Sequence, residues 1–131
     1  MIKLVFCCHR KPELTREEFQ RYWLDQHAVL VKAVREQFPQ MRRYVQSHTL
    51  PDDSDHDAMA EEVGDAVRNT RPVGEPFDGI TEIWLDESLS GPATEDMLKA
   101  HRRLLEDELR FIDFSRSTVF HTREYEIFNE G

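Results

Sequence analysis

The chain has few cysteines, no excess of basic residues and no long hydrophobic run. Its 131 residues carry 26 Asp and Glu against 17 Lys and Arg, a formal charge of -9. A nucleic-acid partner requires a basic face, so we do not expect one. No apolar run approaches the roughly 20 residues that span a bilayer, and His9 and Arg10 come too early for a signal-peptide core. We therefore expect a cytoplasmic protein with no membrane partner.

The sequence also lacks the patterns that accompany common cofactors. Cys7 and Cys8 are adjacent, and neighbours on a strand point to opposite faces, so we expect both to be reduced and to serve in packing. The five glycines are scattered and form neither a phosphate loop nor a nucleophile elbow. The histidines lack the paired spacing of zinc ligands, and the Asp-rich run after Asp53 lacks the Gly and Glu of a calcium loop. We predict no metal and no cofactor.

Six regular elements follow from the periodicity of apolar residues. Thr15 and Glu18 match a capping box, and the first helix is expected to begin near Arg16 and to end at Phe38. Thr94 is expected to cap a second helix ending near 114. Strands are predicted at residues 2–8, 41–49, 79–86 and 117–128.

Each helix has one apolar stripe. In the first helix the stripe contains Phe19, Tyr22, Trp23, Leu30, Val31 and Val34. In the second helix it contains Met97, Leu98, Leu104, Leu105, Leu109 and Ile112, and the charged residues 106–110 are assigned to the opposite, solvated side.

The resulting order, β-α-β-β-α-β, is that of the α+β ferredoxin-like fold, with a four-stranded antiparallel sheet against two helices. We interpret residues 1–131 as one domain with an irregular acidic excursion at about 51–77, which is either a lid or a surface insertion and in which 58–69 suits a short helix. Two helices cover only one face of the sheet. A second copy of the chain is the expected cover for the other face, which predicts a homodimer.

Four separated blocks of residues then occur in a recognisable order. They are Phe19-x-x-Tyr22-Trp23-x-x-x-His27-Ala28, Arg43-Tyr44-Val45-Gln46, Phe77-Asp78-Gly79-Ile80-x-Glu82-Ile83-Trp84 and Phe111-Ile112-Asp113. Together they resemble the EthD family of dimeric α/β-barrel proteins. The resemblance implies a ferredoxin-like subunit, a homodimer and a small-molecule pocket between sheet and helices. It does not imply one reaction, because the superfamily includes cofactor-free polyketide cyclases, muconolactone isomerases, decarboxylases and monooxygenases.

His27 is the leading catalytic candidate. It lies four residues after Trp23 and four before Val31, inside the apolar stripe of the first helix. Burial there favours the neutral imidazole, which is the form a general base requires near pH 7. The alternative is a hydrogen-bonded core histidine, and the resemblance favours function because its motif carries a histidine at this place.

The remaining candidates lie on the strands and the second helix. Tyr44 and His48 share one face of the second strand and are predicted to be catalytic, as an oxyanion donor and a second acid or base. Trp23, Trp84 and His101 are predicted to bind substrate. The alternative for Trp84 is packing in the dimer or the core, and the alternatives for His101 are a bond to a backbone carbonyl or an acid/base pair with His27. We expect a cofactor-independent isomerase, cyclase or lyase acting on a small aromatic or polyketide-like compound. The alternatives are an oxidoreductase or monooxygenase-related accessory protein, a non-catalytic small-ligand-binding dimer, and a structural dimer with filled cavities.

Overall fold

The computed structural model describes residues 1–51 and 76–131, so the acidic excursion and its possible helix or lid lie outside the described residues. A π-helical turn at Trp23–His27 joins the first two helices, and a 3-10 turn at Arg35–Gln37 follows the second. The elements are β1 Ile2–Cys8, α1 Arg16–Tyr22, α2 Ala28–Val34, β2 Met41–His48, β3 Gly79–Leu85, α3 Glu95–Phe111 and β4 Thr118–Thr122. With α1 and α2 forming one continuous helix, the predicted β-α-β-β-α-β order is confirmed.

The four strands form one antiparallel sheet in the order β2-β3-β1-β4, which makes the chain an α+β protein of ferredoxin-like architecture. The register pairs Leu4 with Ile83, and Ile83 with Tyr44. These three side chains therefore lie next to one another on the face that the helices cover. A bulge between Met41 and Arg43 keeps Met41 on the same face as Tyr44.

Local sequence signals fix where the helices begin. The Thr15 hydroxyl accepts a hydrogen bond from the Glu18 amide, and the Glu18 carboxylate accepts one from the Thr15 amide, so the predicted capping box is confirmed. Thr94 caps α3 by accepting a bond from the Met97 amide. The first helix ends earlier than predicted, because its last turn before Phe38 tightens into a 3-10 turn.

The densest part of the core lies where the first helix meets β1 and the end of α3. Phe19 packs on Trp23 and Phe111, with ring centroids 5.5 and 5.4 Å apart. Cys8, Ile112 and these three aromatic residues form one buried cluster. Both cysteine thiols are free, as predicted.

Gly79 allows Trp23 to lie flat against the sheet. A Cβ at position 79 would come within 2.3 Å of Trp23 Cζ3 and 2.9 Å of the Ser47 carbonyl oxygen. The glycine is therefore required by close approach. The Trp23 indole also stacks on the His48 ring of β2, with the ring centroids 4.6 Å apart.

A buried carboxylate ties the β1–α1 loop to the start of β3. Asp78 is fully buried and accepts hydrogen bonds from the Arg10 amide at 2.7 Å and from Arg16 Nε at 2.9 Å. Its backbone carbonyl accepts a bond from the Gln20 amide group at 3.0 Å. These bonds lower the Asp78 pKa despite the opposing effect of burial, and they fix the entry of the first helix relative to the sheet.

The apolar stripe predicted for the second helix is wrong in part. Leu98, Leu105 and Leu109 are 51%, 38% and 49% exposed, whereas Asp107 and Glu108 are half-buried. The helix is therefore rotated from the predicted orientation. Asp107 contacts His27 of the first helix, and Glu108 lies in the wall of a cavity between α3 and the sheet.

The last strand is shorter than predicted. Residues 117–128 were expected to form it, but β4 ends at Thr122, which pairs with Lys3. Because β1 begins at Ile2, the chain after Thr122 has no strand left to pair with. Tyr125 and Phe128, for example, are exposed in this C-terminal segment.

Candidate functional site

A cavity of about 570 Å³ lies between the sheet and the helices. Strand residues such as Leu4 and Ile83 form its floor, and Val31 and Leu104 from the helices form its roof. Most of the wall is aliphatic or aromatic. The polar side chains in the wall are His27, Gln40, Tyr44, Thr81, His101, Glu108 and Ser117.

His27 is positioned in this wall by a carboxylate from the other helix. Its Nδ1 lies 2.8 Å from Asp107 Oδ2, and Tyr22 donates its hydroxyl to Asp107 Oδ1 at 2.5 Å. A carboxylate can only accept, so Nδ1 carries the hydrogen and Nε2 carries the lone pair. Nε2 makes no hydrogen bond in the described part of the chain, and it is the ring nitrogen available to a molecule in the cavity.

The surroundings of His27 favour its neutral form. The residue is only 5% exposed, and burial lowers its pKa below the usual 6.5, although the bond to Asp107 acts in the opposite direction. Phe111 packs on the ring with a centroid distance of 5.2 Å and limits its rotation. The site thus holds a desolvated and oriented imidazole whose neutral form burial favours.

The π turn sets the direction of the His27 side chain. Residues four apart on a regular α-helix are rotated by about 40° from one another, so a long series of such steps drifts around the helix. The wider turn at Trp23–His27 takes up this drift, and Trp23, His27 and Val31 all remain buried on one side. Widened turns of this kind are frequent at functional sites.

Glu108 is the second ionisable group in the cavity wall. Its neighbour Asp107 points toward the first helix, and because successive helical residues are rotated by about 100°, Glu108 points toward the sheet. Burial, with the nearby charge of Asp107, raises the Glu108 pKa to about 7. A substantial fraction of this carboxyl group is therefore protonated at neutral pH.

Tyr44 completes the polar part of the wall. Its hydroxyl accepts a hydrogen bond from the Gln46 amide at 3.1 Å, and burial raises its pKa, which keeps the phenol protonated. The same Gln46 amide donates to the Trp23 carbonyl, and the Gln46 carbonyl lies 2.8 Å from His48 Nε2. One side chain thus links β2 to the π turn.

The structure brings together four of the six predicted site residues. His27, Tyr44, Trp23 and His101 line the cavity, with His101 exposed. His48 is not in the wall; it lies behind Trp23 as a stacking partner. Trp84 points away from the cavity, because it lies on the face of β3 opposite Ile83, where the Arg43 guanidinium stacks on it at 4.4 Å. The predicted placement of Trp84 beside the pocket is therefore wrong.

Asp107 and Glu108 were missed because acidic residues in an amphipathic helix are ordinarily solvated. One signal in the sequence identifies Glu108. Leu104, Glu108 and Phe111 follow one another at steps of four and three residues, the spacing of a single helical face. A carboxylate inside such an apolar series is a candidate for a buried, functional group.

Two further properties concern the described residues only. Among residues 1–51 and 76–131, no group of three or more His, Cys, Asp or Glu side chains is arranged to hold a metal ion. No helix in that part of the chain has the length and apolar character needed to cross a membrane.

Comparison with solved structures supports the fold. An ethyl tert-butyl ether (EthD) family protein from Bacillus halodurans superposes with a TM-score of 0.54 at 16% identity, covering 95% of this chain and 99% of that one. A hypothetical Arabidopsis thaliana protein superposes at 0.50 with 11% identity, covering 98% and 91%. A dimeric ferredoxin-like protein of unknown function from Thermobifida fusca reaches 0.49 with 12% identity, covering 92% and 88%. At these identities the first two superpositions support the fold alone.

Comparison of the sequence is more specific at family level. No curated protein matches the chain significantly. Residues 11–115, in contrast, match the family model of the EthD domain, and this span contains the π turn, the His27–Asp107 pair and Glu108. The resemblance drawn from the four sequence blocks is confirmed, and the chain belongs to the EthD family.

Proposed function

We propose that this protein is a cofactor-independent acid/base enzyme that moves a proton on a small apolar carbonyl compound of aromatic or polyketide type. The observation that carries the proposal is the His27 imidazole in the wall of a largely apolar cavity, with Nδ1 bonded to Asp107 and Nε2 without a hydrogen bond among the described residues. A base in such a position needs no external oxidant, reductant or nucleotide to remove a proton from carbon.

The reaction begins with transfer of a proton from the carbon next to the carbonyl to His27 Nε2. The electron pair of the broken C–H bond moves onto the carbonyl oxygen and forms an enolate. Asp107 stabilises the imidazolium that results, because its carboxylate already accepts the Nδ1 hydrogen. Return of the proton to a different carbon gives isomerisation, and attack of the enolate carbon on a second carbonyl gives cyclisation.

Tyr44 is our candidate for stabilising the enolate oxygen. It is a protonated phenol in the cavity wall, and its hydroxyl hydrogen is not needed for the bond that Gln46 donates to it. A donor aimed at developing negative charge in an apolar site lowers the barrier by a few kcal/mol, on the order of 3. We assign His48 a supporting role, through its stacking on Trp23.

The polar groups in the wall favour catalysis over the alternatives. A ligand carrier requires an apolar pocket, but it does not require a carboxylate-oriented histidine and a carboxyl group of raised pKa in the same wall. A purely structural subunit requires no cavity. An oxidoreductase-related accessory role remains an alternative that no specific side chain here favours.

Hydrogen exchange tests the proposal without knowledge of the natural substrate. The protein is incubated in D₂O with 2-acetylnaphthalene or 2-tetralone, and replacement of the hydrogens next to the carbonyl is followed by proton NMR. We expect exchange above the buffer rate, and a loss of about 10²-fold or more in His27→Asn. Asparagine keeps a donor for Asp107 but cannot accept the proton.

The matched control is His121→Ala, which removes an exposed histidine that does not line the cavity. Its exchange rate should equal that of the unaltered protein. Equal rates for His27→Asn and the unaltered protein, with both variants folded by circular dichroism, would refute His27 as the base.

We propose in addition that the enzyme works as a homodimer joined through the outer face of the sheet. Val5, Val45, Ile80, Trp84 and Phe120 lie on this face, and no helix of the described residues covers them. Sedimentation equilibrium should give twice the mass of the 15.5 kDa chain. Phe120→Glu should shift the protein toward monomer, and a purely monomeric unaltered protein would contradict the proposal.

A further inference from the structure

Glu108 is a half-buried acid in the cavity wall that the proton transfer to His27 does not use. It projects from α3 into a wall that is otherwise mostly aliphatic and aromatic. Its carboxyl group forms no hydrogen bond or ion pair with another side chain in residues 1–51 and 76–131. A carboxyl group that reaches a largely apolar cavity without a side-chain partner is costly to ionise, and such a group favours a functional role over a structural one.

Among the described residues, the ionisable groups around Glu108 include no lysine or arginine. Asp107 adjoins it on α3, and the Tyr44 hydroxyl on β2 and the Cys8 thiol on β1 lie within range of its charge. The other ionisable groups in the wall are His27 and His101. Among the described residues, no lysine or arginine lines the cavity. An anion entering the cavity would therefore meet the Glu108 carboxyl group, with Asp107 next to it in the helix, and no fixed cation in the described wall.

We propose that Glu108 selects uncharged ketones over carboxylates, and that its protonated form donates a hydrogen bond to the substrate carbonyl oxygen. The choice of a carbonyl compound rests on the proposed function. Glu108 thus becomes a specificity-determining residue, and it acts as the acid partner of His27. In the apolar cavity, a neutral carboxyl group provides an O–H donor that a carboxylate cannot provide.

The ionisation of Glu108 predicts a measurable pH dependence of ketone affinity. With a pKa of about 7, the carboxyl group is about nine-tenths protonated near pH 6 and about one-tenth protonated near pH 8. Ketone affinity should therefore fall as the pH rises. Tyr44 and Cys8 remain protonated over this interval, since burial raises both pKa values. His27, whose pKa is lowered, is predominantly neutral throughout most of it.

Tryptophan fluorescence gives a binding assay that does not depend on turnover. The chain has two tryptophans, of which Trp23 lines the cavity and Trp84 lies on the outer face. In a Trp84→Phe background, quenching reports on the cavity alone. The probes are 2-acetylnaphthalene and 2-naphthoate, which have nearly the same shape but differ in charge.

We expect the ketone to bind several-fold to about tenfold more weakly near pH 8 than near pH 6, and 2-naphthoate to bind at least about tenfold more weakly than the ketone near pH 8. Glu108→Gln keeps an N–H donor at every pH, so its ketone affinity should not change with pH and its discrimination against naphthoate should shrink. Glu108→Leu should bind the ketone weakly at both pH values.

Three results would overturn the role of Glu108. They are ketone affinity independent of pH in the unaltered cavity, naphthoate bound as tightly as the ketone, and the same pH dependence in Glu108→Gln, which would assign the titration to another group. Because the readout is binding, a protein that follows the expected pattern without exchanging the ketone hydrogens would support Glu108 and contradict only the proton transfer by His27.

Discussion

Replacing Gly79 by alanine tests whether Trp23, which lines the cavity, is packed tightly against the sheet. The added Cβ would lie 2.3 and 2.7 Å from two carbon atoms of the Trp23 ring and 2.9 Å from the Ser47 carbonyl oxygen. Ordinary contact begins near 3.4 Å, so the indole must move by about 1 Å. Trp23 lines the cavity, which offers space into which the ring can move.

The cost of this movement follows from how tightly the ring is held. Trp23 is 1% exposed, packs on Phe19 and His48, and has its carbonyl bonded to Gln46. Overpacking of a well-packed core costs about 1–3 kcal/mol. For a chain of this size that corresponds to a fall in Tm of about 4–12 °C. The displaced ring should also reduce the affinity for 2-acetylnaphthalene.

Gly91 provides the matched control. A Cβ there meets nothing within 4 Å, and its backbone is not left-handed, so Gly91→Ala should change Tm by no more than about 2 °C. In a Trp23→Leu background the cost of Gly79→Ala should drop by about 1 kcal/mol or more. Equal melting temperatures for the two glycine variants, measured by circular dichroism, would refute the idea that Trp23 is locked against the sheet.

Three further predictions concern the ionisable groups. Asp107→Asn should lower hydrogen exchange by about 10²-fold or more, because an amide no longer enforces the tautomer of His27, and nitrogen NMR shifts of the imidazole should report the change. Exchange plotted against pH should rise as His27 loses its proton below 6.5 and fall above about 7 as Glu108 ionises; Glu108→Gln should lack the alkaline fall. Asp78→Ala should lower the free energy of unfolding by about 3–5 kcal/mol in urea, since Arg16 loses a buried partner. Because the Asp78 pKa is lowered from 3.8, its stabilisation is present above that pH and is lost with acidification.

Local patterns in the sequence were sufficient for most of the fold. The capping box at Thr15 and the cap at Thr94 involve only residues within one turn, and the structure has both. The four-residue steps around His27 predict burial correctly, because the side of the first helix that contacts the core is apolar along its whole length.

The predictions from sequence fail at positions whose orientation or extent is set by tertiary contacts. A two-residue period shows that Glu82 and Trp84 share a face, but not which face meets the helices, so Trp84 was placed on the wrong side. The inward orientation of Glu108 depends on a cavity that helical periodicity does not reveal. The end of β4 at Thr122 depends on where its partner strand begins, about 120 positions away in the chain.

The π turn has a consequence for comparing relatives. It accommodates one more residue between the same two hydrogen-bonded positions than an ordinary helical turn does. A homologue whose first helix lacks this insertion would need a one-residue gap inside an uninterrupted helix to be aligned correctly. Alignment without that gap would match His27 to a side chain rotated roughly 100° away, and the imidazole would look unconserved in relatives that retain it.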